Sequence, residues 1–191
     1  MRKRFSLDKI NRFIISELQK NGRVKLTELA RKLKITPAAV KERVERLIER
    51  KVIKITALIN PENSISDFYH PIYAMIGIEA DSECISILMR KLSNCPLVLS
   101  IQKTSGMHNL IITMAGKDLS VLEKRISDHI RSEPGIKHVE VNVGRFSFQQ
   151  FIPLKVNYPI PKDRAPCGIS KNDETKCKDC LAFLGEEIER K

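Results

Sequence analysis

Residues 27–47 read TELARKLKITPAAVKERVERL. Apolar residues recur at helical spacing on both sides of the short Lys34-Ile35 turn. Thr27 is predicted to cap the earlier helix. Thr36 followed by Pro37 is typical of a helix start, because proline at the first helical position gives up an N–H that would have no partner there. The stretch therefore predicts two short helices joined by a tight turn.

A further helix is predicted ahead of this pair. Ser6 is placed to cap it and Asn21-Gly22 to end it, since glycine suits the left-handed residue that follows a helix. Three short helices with a tight turn between the second and third form a helix-turn-helix, whose third helix lies in the major groove of DNA. The residues expected to be buried by the three helices are Ile10, Phe13, Ile14, Leu18, Leu29, Ala30, Leu33, Val40, Val44, Leu47 and Ile48.

Charge is distributed unevenly along the 191 residues, whose formal net charge is +11. Residues 1–60 hold 17 Lys and Arg against six Asp and Glu, whereas the two signs balance over the remainder. A phosphate-binding module needs such a concentration, because each cation that neutralises a phosphate releases a counterion. A solvated basic face without a partner and a helical bundle without a nucleic-acid role remain open, but the combination favours double-stranded DNA as the partner.

The exposed face of the third helix predicts the side chains that meet DNA. Ala38 is small enough for close approach, Lys41 reaches guanine acceptors, and Glu42 accepts a hydrogen bond from cytosine. Other basic residues of the segment are better suited to phosphates, which position the protein without reading sequence. The predicted DNA-binding residues are Arg23, Lys25, Arg31, Lys32, Thr36, Ala38, Lys41, Glu42, Arg46, Arg50 and Lys51.

After the helices the pattern changes to alternating strands and helices. Asp81 or Ser82 is predicted to open one helix and Lys117-Asp118 another, which would bury Leu119, Leu122, Ile126 and Ile130. Strands are predicted at Val52–Leu58 (an exit strand), Ile72–Glu79, Val98–Thr104, Leu110–Met114 and around Val139–Val143. After the exit strand the order is β-α-β-β-α-β, a ferredoxin-like unit. The fold class is thus α+β, with an N-terminal helix-turn-helix (winged-helix-like) domain over residues 1–60, a ferredoxin-like domain over 68–145 and a C-terminal extension over 146–191.

The predicted second domain suggests an assembly and excludes several chemistries. Both of its helices cover one face of the sheet, so the other face needs a partner, and a second copy of the chain is the simplest. A homodimer would also present two recognition helices to two DNA half-sites. The sequence has no Gly-rich phosphate loop and no metal-spaced His pair, and its four His are expected to be structural or exposed. With none of these catalytic or cofactor motifs, we expect no enzyme activity. We also expect no membrane partner and a cytoplasmic location, since no apolar run reaches the roughly 20 residues of a membrane span.

Several motifs resemble those of one family. The runs Leu7-Asp8-Lys9-Ile10-Asn11, Leu18-Gln19-Lys20-Asn21-Gly22-Arg23, Glu28-Leu29-Ala30, Val44-Glu45-Arg46-Leu47 and Val52-Ile53 resemble the DNA-binding domain of the Lrp/AsnC (feast/famine) transcription regulators. The β-α-β-β-α-β segment resembles their ligand-sensing domain, so that the resemblance covers about residues 6–145. It implies a transcription factor whose sensing domains form dimers, and often octamers.

The resemblance also implies an effector site. Small effectors, frequently amino acids, bind between the sensing domains near a glycine turn, which corresponds here to Ser105, Gly106, Met107, His108 and Asn109. Family members that sense amino acids often carry Asp where this chain has Asn109, and an Asn offers an ammonium group only neutral hydrogen bonds. The alternative for Gly106 is a hairpin that needs a positive φ. Decarboxylases of sirohaem-type tetrapyrroles resemble the same two-domain plan, with His108 as the candidate residue, but the basic first third argues against that activity.

The C-terminal extension carries three cysteines in a Cys-x9-Cys-x2-Cys pattern. Cys177 and Cys180 bring two thiolates to one side of a turn, and Cys167 would be a third ligand of a zinc ion or of an iron–sulfur cluster. A disulfide or thiol switch and uncommitted surface thiols are the open alternatives. Cys84 and Cys95, by contrast, are predicted to be packed thiols. The sequence thus predicts a DNA-binding regulator modulated by a small effector or by the metal or redox state of the extension.

Overall fold

The structure, a computed structural model, describes residues 7–62, 69–146 and 151–153. Its contacts divide the chain into two compact units between Ala57 and Leu58. The predicted cap at Ser6 is wrong, because the first helix begins at Lys9 and Asp8 caps it, with Oδ1 accepting from the Asn11 backbone N–H at 2.7 Å. The three cysteines of the extension, Cys167, Cys177 and Cys180, lie outside the described residues, so their predicted roles stay predictions.

The first unit consists of three helices, α1 (Lys9–Lys20), α2 (Leu26–Leu33) and α3 (Pro37–Glu49). The Thr36 hydroxyl accepts a hydrogen bond from the Ala39 backbone N–H at 3.2 Å, which confirms the predicted cap of α3. The prediction for α2 is wrong, because Lys25 occupies the N-cap and Thr27 lies within the first turn. Lys34 makes the turn between α2 and α3 in the left-handed conformation, with φ of 55°.

The three helices enclose a small apolar core. Its fully or nearly fully buried members are Ile14, Leu29, Ala30, Val40, Val44 and Leu47. Ile48, which was expected in this core, is instead 42% exposed. Val40, Val44 and Leu47 form the buried stripe at positions i, i+4 and i+7, and Ile48 lies about 100° around the helix from Leu47.

Residues 52–58 do not form the predicted exit strand. The backbone N–H of Ile53 bonds back to the Leu47 carbonyl at 3.4 Å, and Ile59 forms an isolated antiparallel bridge with Ile152. A β-rich composition does not make a strand unless a neighbouring strand supplies hydrogen bonds, and no described segment forms strand pairing with residues 52–58. The first unit therefore has no wing strand among its described residues.

The second unit has the predicted β-α-β-β-α-β order. Its elements are β1 (Ile72–Ala80), α4 (Ser82–Leu92), β2 (Val98–Lys103), β3 (Leu110–Gly116), α5 (Leu119–Ile126), which continues as a π turn over Ser127–Arg131, and β4 (Ile136–Arg145). The four strands form one antiparallel sheet in the order β2-β3-β1-β4. Asp81 and Asp118 cap α4 and α5 with their carboxylates, as their positions in the sequence indicated.

Alternation along β1 separates the two faces of this sheet. Ala74, Ile76 and Ile78 face the helices and are fully buried. Leu122, Ile126 and Ile130 meet them from α5 and the π turn. Leu119, which was expected beside them, is exposed; it is the first residue of α5, one turn before Leu122.

The face without helices is partly covered by the chain itself. Ile152 is buried against Ala115, with Ile59 and Phe146 beside it, and the Phe146 ring lies 5.3 Å from that of Tyr73. The start of the extension is thus packed onto the second unit. These residues cover the helix-free face of the sheet at the end where β1 begins. The prediction that this whole face is uncovered is therefore wrong at that end.

Gly135 is the glycine whose replacement we expect to cost most in the second unit. Its φ is +89°, and an added Cβ would lie 2.8 Å from Cγ of Asp81, the residue that caps α4. We expect Gly135→Ala to lower the free energy of unfolding by about 2–4 kcal/mol, as measured by urea denaturation, because the strain and the clash add.

Gly106→Ala is the matched control for Gly135→Ala. A Cβ added to Gly106 would meet nothing within 4 Å, and the φ of this glycine is not positive. We expect this variant to change stability by less than about 0.5 kcal/mol. Equal losses in the two variants would contradict the assignment of strain to Gly135.

Candidate nucleic-acid interface and effector region

The third helix presents the side chains that the sequence assigned to DNA. Ala38, Lys41, Glu42 and Arg46 are all exposed, while the opposite side of α3 carries the core of the unit. Lys41 is 65% exposed, and its Nζ lies 3.8 Å from Oε1 of Glu45. Arg46 forms an ion pair with Glu42 one turn earlier. Exposed pairs of this kind contribute only a few tenths of a kcal/mol, so DNA phosphates and bases can displace them.

Arg43 connects α3 to α1. Its Nη1 donates to Oδ2 of Asp8 at 2.6 Å and to Oδ1 of Asn11 at 3.0 Å. The backbone N–H of Asn11 and then the Arg43 guanidinium hold the pKa of Asp8 below its ordinary value. Arg43 was not singled out in the sequence, although around the helix it lies about 40° from the buried Leu47 and about 160° from Lys41. It orients the recognition helix instead of facing outward.

Lys32 lies in a network of ion pairs between α1 and α2. Its Nζ is 2.7 Å from Oε2 of Glu17 and 3.0 Å from Oε1 of Glu28. Glu17 also accepts from Lys20 at 2.8 Å. Lys32 is thus partly neutralised within the unit, and its predicted role in phosphate binding stays a prediction.

The Glu17 carboxylate is expected to titrate far below an ordinary glutamate. Hydrogen bonds from Lys20 and Lys32 lower its pKa from 4.5 to about 2. Because the folded pKa is the lower one, the stabilisation is fully present above pH 4.5 and is lost as the pH falls towards 2. Carbon-13 NMR titration of the side chain measures this midpoint, and Lys32→Met should move it upward. A midpoint near 4.5 in the unaltered chain would refute the network.

The remaining predicted phosphate contacts are exposed. They are Arg23, Lys25, Arg31, Arg50 and Lys51. Thr36 is exposed as well, but its hydroxyl oxygen caps α3. These side chains are therefore accessible in the described unit.

The predicted effector region is the connection between β2 and β3. Ser105, Gly106 and Met107 are exposed, with Met107 at 77%, while His108 and Asn109 are half-buried. The Thr104 hydroxyl donates to the His108 carbonyl and closes the turn. The alternative explanation for Gly106 is wrong, since the turn forms without a positive φ there. Neither backbone conformation nor packing within the described residues requires a glycine at this position.

Asn109 has a definite structural partner. Its Nδ2 donates to the Ala80 carbonyl at 2.7 Å, and its Oδ1 accepts from the Ala80 N–H at 3.2 Å. The side-chain amide thus pairs with the end of β1 as another strand would. A contact between Asn109 and an effector stays a prediction, but both polar atoms of its amide are already engaged.

Replacement of Asn109 by Asp tests this double hydrogen bond. The carboxylate still accepts from the Ala80 N–H, but it cannot donate to the Ala80 carbonyl and would repel it. We expect Asn109→Asp to lower the free energy of unfolding by about 1–3 kcal/mol at pH 7, and by less at pH 3, where the carboxyl group is protonated. Urea denaturation at the two pH values measures the difference. Equal stability of variant and parent at pH 7 would contradict the role given to the amide.

The structure brings together three side chains that the sequence analysis kept apart. The His108 and His138 rings stack with their centroids 5.8 Å apart, and Nε2 of His108 lies 3.4 Å from Oε2 of Glu140. Alternation placed His138 and Glu140 on one side of the last strand. Nothing local indicated that His108, 30 residues earlier than His138, would reach them. The spacing of the histidines in the sequence did not indicate that these side chains approach one another in space.

The cysteines of the second unit behave as predicted. Cys84 and Cys95 are buried, at 2% and 5% exposure. Burial, and to a lesser extent the charges of Asp81 and Glu133, raise the pKa of the Cys84 thiol. The thiol of Cys84 therefore stays protonated and packs as an apolar group.

Comparisons with known proteins agree with this architecture. Residues 7–48 match the AsnC-type helix-turn-helix domain, and residues 73–144 match the Lrp/AsnC ligand binding domain. The chain is 30% identical over 142 residues to the HTH-type transcriptional regulator PH0140 of Pyrococcus horikoshii, covering 74% of this chain and 87% of that protein.

Two solved structures share this fold. AsnC of E. coli superimposes with a TM-score of 0.64 at 19% identity, covering 76% of this chain and 97% of that one. The regulator NMB0573 of Neisseria meningitidis, solved as an L-Met complex, gives 0.64 at 20% identity, with 80% and 98% covered.

The sequence relatives also decide between the predicted functions. The relatives are transcription regulators and not enzymes, so the decarboxylase alternative has no support. None of the described helices has the length and apolarity to cross a membrane. The chain belongs to the Lrp/AsnC family of DNA-binding transcription regulators, with an AsnC-type helix-turn-helix domain followed by an Lrp/AsnC ligand-binding domain.

Proposed function

We propose that this regulator reads its operator as a homodimer or higher oligomer, with α3 of each subunit in the major groove. The observation that carries the proposal is the division of α3 into two faces. Val40, Val44 and Leu47 anchor one face in the core, while Lys41 and Glu42 stand on the other. A rigid helix held by its apolar face presents its outward side chains at fixed spacing, as base recognition requires.

Binding would exchange the ion pairs of α3 for contacts with DNA. Lys41 would leave Glu45 for guanine acceptors, and Arg46 would leave Glu42 for a contact with DNA. Glu42 would then be available to accept a hydrogen bond from cytosine. The cost of separating these exposed pairs is small compared with the about 1–3 kcal/mol that one good base contact contributes to discrimination.

A small effector is proposed to bind at the turn over Ser105–Asn109. The first three of these residues are exposed, and the space around Gly106 is open. Support also comes from the L-Met complex of the Neisseria regulator, which has the same fold. Such a ligand would act only to the extent that its affinity differs between oligomeric or DNA-bound states.

The C-terminal extension is proposed as a second input, in a protein that works in the cytoplasm. Cys167, Cys177 and Cys180 would hold zinc or an iron–sulfur cluster, or act as a thiol switch. Zinc and iron analysis of protein purified without oxygen tests this, with Cys177→Ser for comparison. A metal content that the substitution leaves unchanged would refute a site in the extension.

The DNA-reading proposal is tested by mapping the genomic fragments that the protein binds and then measuring affinity for the consensus site. Lys41→Ala should weaken specific binding by about 5- to 150-fold and relax the preference at one position of each half-site. Lys137→Ala is the matched control. The Lys137 side chain is also 65% exposed and its Nζ lies 4.0 Å from Oε1 of Glu79, but it belongs to the second unit. Bound fragments without a common motif, or an unchanged preference in Lys41→Ala, would overturn the proposal.

A further inference from the structure

Three potential metal ligands meet on the face of the sheet that carries no helix. His108 comes from the end of the glycine turn, and His138 and Glu140 come from β4. One ligand atom from each of the three residues lies within 4.8 Å of the other two. His138 and Glu140 are exposed, while the side chain of His108 retains 20% of its exposure.

The position of His108 depends on the absence of a side chain at Gly77. A Cβ added to Gly77 would lie 2.7 Å from Cγ and from Nδ1 of His108, so the imidazole occupies the space that any other residue would fill. Gly77 pairs with Glu140 across the β1–β4 register, which places His108 above that pair of strands. The glycine therefore seats the ring beside the carboxylate.

One polar atom of the cluster is left without a hydrogen bond by the described residues. Nε2 of His108 is buried and has no hydrogen-bond partner among the described residues, since its 3.4 Å approach to Glu140 lacks hydrogen-bond geometry. Burial of an imidazole nitrogen without a partner carries a free-energy cost. Such an atom, beside a carboxylate oxygen and a second imidazole, is suited to an incoming cation.

Asn142 positions the carboxylate as an outer-shell residue does in metal sites. Its Nδ2 donates to Oε1 of Glu140 at 3.1 Å, which leaves Oε2 directed at His108. Metal-ligating carboxylates are usually held by a second hydrogen bond of this kind. The 3.4 Å between the His108 and Glu140 atoms equals the edge expected for tetrahedral ligands about 2.1 Å from a metal.

We propose that His108, His138 and Glu140 form a binding site for a borderline divalent transition metal ion, such as Zn²⁺. Two imidazoles and one carboxylate select this class over the hard cations Mg²⁺ and Ca²⁺, which take oxygen ligands. Rotation of the exposed His138 side chain closes the remaining distance. Three protein ligands leave a coordination position open for water or an exogenous group.

This site goes beyond the proposed function and shares only His108 with it. A small ligand with a carboxylate or another donor group would bind the metal at this open position, next to the glycine turn. Metal binding is measured without DNA, so its failure leaves the DNA-reading proposal untouched, and loss of DNA binding leaves the metal site untouched.

The test uses the full chain with Cys167, Cys177 and Cys180 all replaced by Ser, so that thiolates of the extension do not contribute. Titration with Zn²⁺ alone should give one ion per chain. Co²⁺ should give d–d absorption without a thiolate charge-transfer band. In the same background, His138→Ala and Glu140→Gln, both at exposed positions, should weaken zinc binding by at least about 100-fold, and Asn142→Ala by about tenfold.

Glu123→Gln, an exposed carboxylate on α5, is the matched control and should bind zinc like the parent. Circular dichroism of every variant verifies that the fold is retained. The absence of stoichiometric zinc in the chain with the three Ser replacements would overturn the proposal. So would zinc binding that His138→Ala and Glu140→Gln leave unchanged, because the ion would then lie elsewhere.

Discussion

Affinity for duplex DNA of mixed sequence is expected to fall by about 10³-fold between about 50 and 200 mM potassium chloride. The reason is the concentration of positive charge in residues 1–60, where 17 Lys and Arg oppose six Asp and Glu. Six of these cations are assigned to phosphates, and each phosphate neutralised contributes about −0.9 to the slope of log affinity against log salt. Fluorescence anisotropy with a labelled duplex at several salt concentrations measures the slope.

Single substitutions measure how much each side chain contributes to this slope. Lys25→Ala should reduce it by about one. Lys32→Ala should reduce it by less, because Glu17 and Glu28 already neutralise part of that charge. Lys137→Ala, in the second unit, should leave it unchanged. A slope near zero for the parent chain would contradict DNA binding through the basic first unit, and equal effects of Lys25→Ala and Lys137→Ala would contradict the assignment of the contacts.

Leu47→Ala is expected to destabilise the helical unit by about 2–5 kcal/mol and to abolish DNA binding at 37 °C. Leu47 is completely buried between the three helices, and the substitution leaves a cavity among Ile14, Leu29 and Val44. A unit of this size buries little apolar surface and has little stability to lose. Urea denaturation followed by far-UV circular dichroism measures the loss, and binding of labelled duplex in dilute salt measures its consequence.

The adjacent residue provides the control. Ile48 is 42% exposed, so Ile48→Ala should cost less than about 1 kcal/mol and should leave DNA binding close to that of the parent. The two substitutions remove similar volumes from consecutive positions of one helix, and only burial separates them. Similar losses for both would mean that α3 packs in a different rotation from the one described.

Several features that depend on a few neighbouring residues followed from the sequence, although Asp8 and not Ser6 caps α1, and Gly22 does not adopt the predicted left-handed conformation. Thr36-Pro37 started α3, and Asp81 and Asp118 capped the two helices of the second unit, because a cap needs only its own side chain and the next three residues. Lys25 and Thr27 were harder to separate. They lie two residues apart at the start of α2, and the observed N-cap makes no side-chain hydrogen bond that would mark it.

The candidate DNA interface was largely predictable, whereas its internal pairing was not. Exposure of Lys41 and Glu42 follows from the period of α3, which its buried residues establish. The pairing of Arg43 with Asp8 does not, because it joins side chains 35 residues apart. Whether a basic residue faces outward or joins two helices depends on how those helices pack.

The amino-acid sequence by itself specified three helices, a β-α-β-β-α-β order and a basic end, since periodicity, capping and charge are local properties of a chain. Only the tertiary structure decided that Asn109 pairs with Ala80, that residues 52–58 have no strand partner among the described residues, and that His108 lies over Gly77 beside His138 and Glu140. Strand register and the packing of distant segments set those contacts. They depend on the whole sheet closing at once, and no short stretch of residues encodes them.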